Sequence, residues 1–185
     1  MHGAQQEFYK GLTKKFPGFF VSASVLEVGS LDINGTIRQY FANCDYIGVD
    51  VGEGPCVDVV AFGQDLDYAD NTFDHSTSSE LMEHCQAWQD VFKNMHRMTR
   101  KGGLVSFTCA WGPTEDRVGK GRPEHGTTRS DIGSSPLTVA KGIEYYENRN
   151  AQDFEEAFEM KKMFSKYEFV ENDLNLDLYF WGIKK

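Results

Sequence analysis

The sequence predicts an α/β fold: a doubly wound, mostly parallel sheet of seven strands that ends in an antiparallel C-terminal hairpin. Three observations predict it. Strand-like and helix-like segments alternate through the first 110 residues, and such alternation builds parallel strands with helices on both faces. A glycine, Gly29, stands where the first strand in VLEVGSLDINGTIRQYF hands over to a loop. The last two strand-like segments have no helix between them, so they must meet as a hairpin. An antiparallel edge on an otherwise parallel sheet is a known pattern.

The elements follow in order. Residues 4–16 place Phe8, Leu12 and Phe16 on one helical face, and Pro17 and Gly18 stop that helix. SVLEVG (24–29) is the first strand. NGTIRQYFA (34–42), with Ile37, Tyr40 and Phe41 apolar, predicts a helix. DYIGVD (45–50) and VDVVAF (57–62) are the second and third strands. NTFDHSTSS (71–79) is taken as the fourth from its place in the alternation. WQDVFKNMHRMT (88–99) repeats Val91, Phe92, Met95 and Met98 at helical spacing, with Gly102 and Gly103 closing the helix. LVSFTCA (104–110) is the fifth strand. Residues 111–150 hold Gly, Pro and many polar residues and read as a long loop, a lid over the active-site side. AQDFEEAFEMKKMF (151–164) predicts a helix, and YEFVEND (167–173) and LDLYFWGIKK (176–185) predict the final strands. One domain over 1–185, opened by the helical segment 1–18, is the expected organisation.

Composition narrows the function classes. With 40% hydrophobic and 14% aromatic residues a real core can be buried. No apolar run approaches the roughly 18–20 residues of a membrane span. The first sixteen residues carry no apolar signal-peptide core, so a cytoplasmic location is the default expectation. Cys44, Cys56, Cys85 and Cys109 match no zinc or redox spacing and read as small buried hydrophobes. The net charge is −9, from 28 acidic and 19 basic residues. Duplex binding draws on phosphate neutralisation by a basic surface, so nucleic acid is not expected as a partner. Lys101, Arg117, Lys120, Arg122 and Arg129 form the one basic grouping that pulls the other way.

In a parallel doubly wound sheet, ligands bind beyond the carboxyl ends of the strands. Gly29 ends the first strand and Asp50 ends the second, 21 residues later. At that spacing an acid reaches a ribose diol, and a carboxylate can accept from both hydroxyls. A dinucleotide diphosphate would need glycine at positions 31 and 34. The chain has Leu31 and Asn34, and Asp32 adds negative charge where the diphosphate would lie. Glu27 extends the same field. These charges favour a ligand with a ribose and a positive charge but no phosphate. S-adenosylmethionine has those parts; NAD does not.

VLEVGSLDINGTIR, YIGVDVGEGPCVDVV, NTFDHSTSSELMEH and MTRKGGLVSFTCA, in this order, resemble a class I S-adenosylmethionine-dependent methyltransferase of the small type 11 group. The resemblance covers about residues 24–110 and implies a Rossmann-like sheet, with S-adenosylmethionine as cofactor and S-adenosylhomocysteine as product. It implies that Glu27 lies near the methionine ammonium group and that Gly29 and Ser30 form the turn. Asp50 would take the ribose and Val51 would lie beside the adenine. Phe62, Gly63 and Gln64 would follow the third strand at the adenine, with Asp65 a further candidate. Ser79 and Glu80 would end the fourth strand under the methionine part. Glu80, Glu83 and His84 complete an E-x-x-E-H pattern. On a helix these three would share a face; they are read as cap and pocket residues, and no metal is expected. Leu31 departs from the family's second glycine.

The string GKGRPEHGTTRS (119–130) leaves the fifth strand on the cofactor side. Arg122, Glu124 and His125 are acceptor-side candidates. His125 is the candidate general base, because imidazole titrates near neutral pH, with Glu124 or His84 behind it. The expected function is methyl transfer to a small-molecule acceptor. The alternative is a methyltransferase-fold module that binds cofactor without catalysis. The oligomeric state is not legible.

Overall fold

The computed structural model describes residues 3–112 and 145–185. Seven strands form one sheet: β1 (Ser24–Val28), β2 (Asp45–Asp50), β3 (Val59–Val60), β4 (Phe73–Ser79), β5 (Thr99–Ala110), β6 (Phe164–Asn172) and β7 (Asp177–Lys184). Their order is β3-β2-β1-β4-β5-β7-β6. The first five strands run parallel. β7 runs antiparallel to β5, and β6 antiparallel to β7. The doubly wound sheet with its terminal hairpin is therefore as the sequence predicts.

The two faces of the sheet carry different layers. Helix α1 (Gly3–Lys15) covers one face through Tyr9 and Leu12, which pack with Phe20, Ile37, Leu104 and Trp181. Helix α2 (Trp88–Met98) covers the other. Two short helices, α3 (Ala151–Ala157) and α4 (Met160–Met163), extend that second layer through Phe154 and Met160. An asparagine capping box starts α3: Asn150 accepts from the Asp153 N–H, and Asp153 answers the Asn150 N–H. On the α2 face Phe92 is fully buried among the rings of Phe107, Phe154, Phe158, Phe164 and Phe180.

The α1 face is more polar inside. The Tyr9 hydroxyl lies 3.0 Å from Thr77 Oγ1 and donates to the Ser78 carbonyl at 2.8 Å. Thr77 meets Ser106 at 2.9 Å, and Ser106 meets His75 Nε2 at 2.8 Å. These side chains are buried and the hydrogen-bonded seam accounts for them.

Four local expectations are corrected. The helix expected over 34–42 is a single 3-10 turn, Ile37–Tyr40. Left-handed residues at Gly35 (φ 121°) and Asn43 (φ 54°) confine it, and one turn cannot repay the cost of nucleating an α-helix. The helix expected over 151–164 breaks at Phe158, which is extended so that its ring packs 5.0 Å from that of Phe92. Gly102 and Gly103 lie inside β5 and do not end α2. Gly102 has φ +72°, and a Cβ on Gly103 would come within 2.8 Å of the Asp74 carbonyl, so the pair bends β5 past a register shift with β4. The third strand shrinks to two residues at the sheet edge.

Candidate functional site

The strand order reverses between β1 and β4, and the carboxyl ends of the strands there form the crevice in which such sheets bind ligands. The β1 loop is built by hydrogen bonds to its neighbour. Gly29 takes φ +83°, and the N–H groups of Gly29 and Ser30 both donate to the Val49 carbonyl, at 2.8 and 3.0 Å. Only glycine adopts this left-handed conformation without strain. Leu31, the departure from a glycine-rich loop, is accommodated across the crevice. Its Cδ1 would lie 2.3 Å from a Cβ on Gly54, so the absent side chain at 54 makes its room.

Asp50 closes the loop. Its carboxylate accepts from Leu31 N–H at 3.0 Å and from Val51 N–H at 2.7 Å. Burial raises its pKa above the usual carboxylate value, while the two N–H donors pull it down. Two N–H bonds leave lone pairs on both oxygens for further donors. Ser30 is 2% exposed and its hydroxyl has no hydrogen-bond partner among the described residues. It lies over Gly48, where a Cβ would meet Ser30 Oγ at 2.8 Å. Asp32 turns inward on its own loop, where Oδ1 accepts from Gly35 N–H at 2.7 Å.

Glu27 is buried one layer below, on the α1 face, and Tyr46 donates its hydroxyl to Glu27 Oε2 at 2.7 Å. Burial drives its pKa up to about 7; the Tyr46 bond and the Arg38 charge draw it down, and Asp50 and Asp32 push it up. Tyr46 and Arg38 were not legible as site residues. Their signal was register: Val25 pairs with Tyr46 and Glu27 with Gly48, which sets Glu27 diagonally above Tyr46 on the same face.

At the third strand, Phe62 is extended and 38% exposed, available as an apolar wall. Gly63 is buried against Val28, and the Asn94 amide nitrogen of α2 lies 3.1, 3.0 and 3.1 Å from the carbonyls of Gly63, Gln64 and Leu66. These carbonyls serve the turn, and Asp65 is exposed. Val51 is half-buried beside Asp50.

Beyond β4, Ser79 Oγ lies 3.4 Å from Thr108 Oγ1, and Glu80 has φ 59° with its N–H on the Thr108 carbonyl at 2.9 Å. Residues 80–84 form a turn and not a helix, so Glu80, Glu83 and His84 do not share a helical face. Glu83 is 1% exposed and accepts from Ala110 N–H at 3.1 Å. The His84 ring meets Tyr146 edge-on at 5.0 Å. Among the described residues no three His, Cys, Asp or Glu side chains gather as a metal-holding group. Arg149 is a further residue missed in the sequence. A bridge to Trp111 seats it, its guanidinium lies 4.8 Å from the Trp88 ring, and it pairs with Glu147 at 3.2 Å. It sits in a stretch of 111–150 with no periodic signal. Arg122, Glu124 and His125 lie outside the described residues.

Residues 26–107 match a family model described as a methyltransferase domain. None of the curated proteins matches the chain. Solved structures share its fold. The 1,6-didemethyltoxoflavin-N1-methyltransferase of Burkholderia thailandensis is 16% identical, with a TM-score of 0.65 over 99% of this chain and 79% of that one. The S-adenosylmethionine complex of Haemonchus contortus phosphoethanolamine N-methyltransferase 2 is 15% identical, with a TM-score of 0.61 over 96% of this chain and 52% of that one. A structure from Listeria monocytogenes described as a putative S-adenosylmethionine-dependent methyltransferase is 15% identical, with a TM-score of 0.58 over 96% of both. The four sequence motifs, the strand order and the match over residues 26–107 agree in likening this chain to methyltransferase domains, and its sheet has the fold of the solved methyltransferases above.

Proposed function

We propose that this chain is an S-adenosylmethionine-dependent methyltransferase acting on a small-molecule acceptor. One observation carries the reading: Asp50, buried at the end of β2, is tied to the turn after Gly29 through Leu31 N–H and keeps acceptor capacity on both oxygens. That carboxylate suits a ribose diol. The carboxylates of Glu27, Asp32 and Asp50, gathered with no diphosphate-binding glycine run, favour a cation over a phosphate. The bound cofactor would supply a methyl group on a positive sulfur, an already activated leaving centre. The protein's part is then to align and to exclude water. Phe62 and Val51 would wall the adenine, and Glu27, Ser79 and Glu80 would face the methionine portion.

Small-molecule acceptors are named for structural neighbours from Burkholderia thailandensis and Haemonchus contortus, which supports the same class here. An oxygen or nitrogen acceptor needs a base where its proton must leave; we assign His125, with Glu124 or His84 as support. His125→Ala should cut turnover and leave cofactor affinity unchanged; unchanged turnover removes the assignment. Asp50→Ala should weaken S-adenosylmethionine binding at least tenfold in calorimetry, and equal affinity would remove its ribose role. A methyl-transfer assay over candidate acceptors separates an enzyme from a binding module. The departures at Leu31 and Phe62 fit the binding-module alternative, while the room Gly54 leaves for the Leu31 side chain supports a loop built to hold it.

A further inference from the structure

We propose that Tyr46, held in place by Arg38, is a positioning residue for the Glu27 carboxyl group, and that this contact makes the affinity for a cationic cofactor depend on pH. The proposal rests on the S-adenosylmethionine reading above. Its geometry is a chain of contacts leading inward from the surface. Asp58 accepts from Gly48 N–H at 2.8 Å and pairs with Arg38 at 3.1 Å. The Arg38 guanidinium lies 4.8 Å from the Tyr46 ring and donates to the Tyr46 carbonyl at 3.3 Å. Phe41 meets the same ring edge-on at 5.0 Å. Clamped between them, the Tyr46 hydroxyl has its 2.7 Å bond to Glu27 Oε2.

Glu27 faces charged and titratable groups from every neighbouring element. Tyr46 and Asp50 come from β2, Tyr9 from α1, Arg38 from the 3-10 turn and Asp32 from the β1 loop. From β4 the register partner Thr77 brings only a neutral hydroxyl. Of these, the Tyr46 hydroxyl and Arg38 favour the ionised carboxyl, while burial and the two aspartates oppose it. The balance leaves Glu27 divided between its two forms near neutral pH. Only the ionised form attracts a sulfonium or ammonium group. Taking away the Tyr46 donor tips the balance to the neutral acid, and a given pH then leaves less charge under the cofactor.

The test is calorimetric titration of the full chain with S-adenosylmethionine from about pH 5.5 to about 7.5, the interval around the Glu27 value. Wild type is compared with Tyr46→Phe, Arg38→Gln and Glu27→Gln, with adenosine as an uncharged control ligand. The ligand's own amino group titrates at about 7.7–8.0 and is the same throughout, so differences between curves belong to the protein. Wild-type affinity should fall as pH drops below about 7. Tyr46→Phe should move that fall to higher pH and leave several-fold weaker binding at neutrality. Arg38→Gln, at a partly exposed side chain, should shift it in the same direction with the fold intact. Glu27→Gln should flatten the curve, and adenosine should show no pH step in any protein. A purely structural Tyr46 would lower the melting temperature and leave the midpoint in place, and that result overturns the proposal. So does a step that survives Glu27→Gln. Binding of adenosine but not S-adenosylmethionine by wild type at every pH would instead remove the cofactor reading and this proposal with it.

Discussion

At Gly48 an added methyl group would lie 2.2 Å from the Cys56 carbonyl and 2.8 Å from Ser30 Oγ. The first neighbour is backbone and cannot rotate away. Gly48→Ala should therefore destabilise the protein by about 1–3 kcal/mol, the usual cost of overpacking. It should also displace the Ser30 hydroxyl and weaken cofactor binding. Urea titration checks the first effect and calorimetry the second; a neutral Gly48→Ala would mean the β2–β3 loop is softer than its contacts imply. At this scale spacing in the sequence singled out Gly29 and Asp50 as candidates, and the structure links their loops through Leu31 N–H and the Val49 carbonyl. The sequence hid residues that act through contact across strands. Tyr46, Asn94 and Arg149 each gain their role from a partner 19 or more residues away or from a stacking ring, and no local pattern marks them.

Elements were legible where burial imposes a period. β1 and β2 are apolar runs and α2 carries an apolar stripe, so each was found close to its true bounds, whereas β5 was found only from Leu104 onward because the exposed residues at its start carry no apolar pattern. Where tertiary packing competes with local propensity, periodicity misled. Phe158 leaves a helix to reach Phe92, and the Glu80–His84 pattern that would share a helical face is a turn. Phe92 is where α2 and the C-terminal elements meet, since its ring contacts β5, α3, β6 and β7 together. Phe92→Ala should cost about 3–5 kcal/mol, because five rings cannot all move into the space it leaves. Chemical denaturation measures this. A loss below about 1 kcal/mol would show that this aromatic layer can collapse freely.

For the whole molecule, two buried groups set opposing responses to acid. Burial pushes His75 from 6.5 down to about 3, so the folded protein keeps it neutral. As pH falls below 6.5 the unfolded chain takes up a proton that the fold refuses, and stability drops towards pH 3. Glu27 does the reverse. Its folded value, about 7, exceeds the ordinary 4.5, so the unfolded chain releases a proton first and stability falls as pH rises from 4.5 to 7. Between 4.5 and 6.5 the two slopes, each at most about 1.4 kcal/mol per pH unit, largely cancel. Glu27→Gln should uncover the histidine slope, so that stability rises steadily with pH across that window. Melting temperatures taken between pH 4.5 and 6.5 test it; a flat profile in the variant would mean that His75 is not held neutral.

The mostly parallel sheet and its terminal hairpin were legible because strand–helix alternation leaves few ways to wind a chain. The difference between its two faces was not, because serine and threonine in NTFDHSTSS read as weak strand formers and not as partners for a helix. Their pairing with Tyr9 has a kinetic side. Tyr9 is bonded to Thr77 across 68 residues of chain and to Ser78 across 69. Helix α1 is therefore synthesised before β4 but can be locked only after β4 has been laid beside β1. An apolar stripe alone would let it settle early and out of register, whereas directional hydroxyl bonds reward one seating. The first helix of the chain should be among the last to gain protection from hydrogen exchange during refolding, as closure of distant contacts is slow.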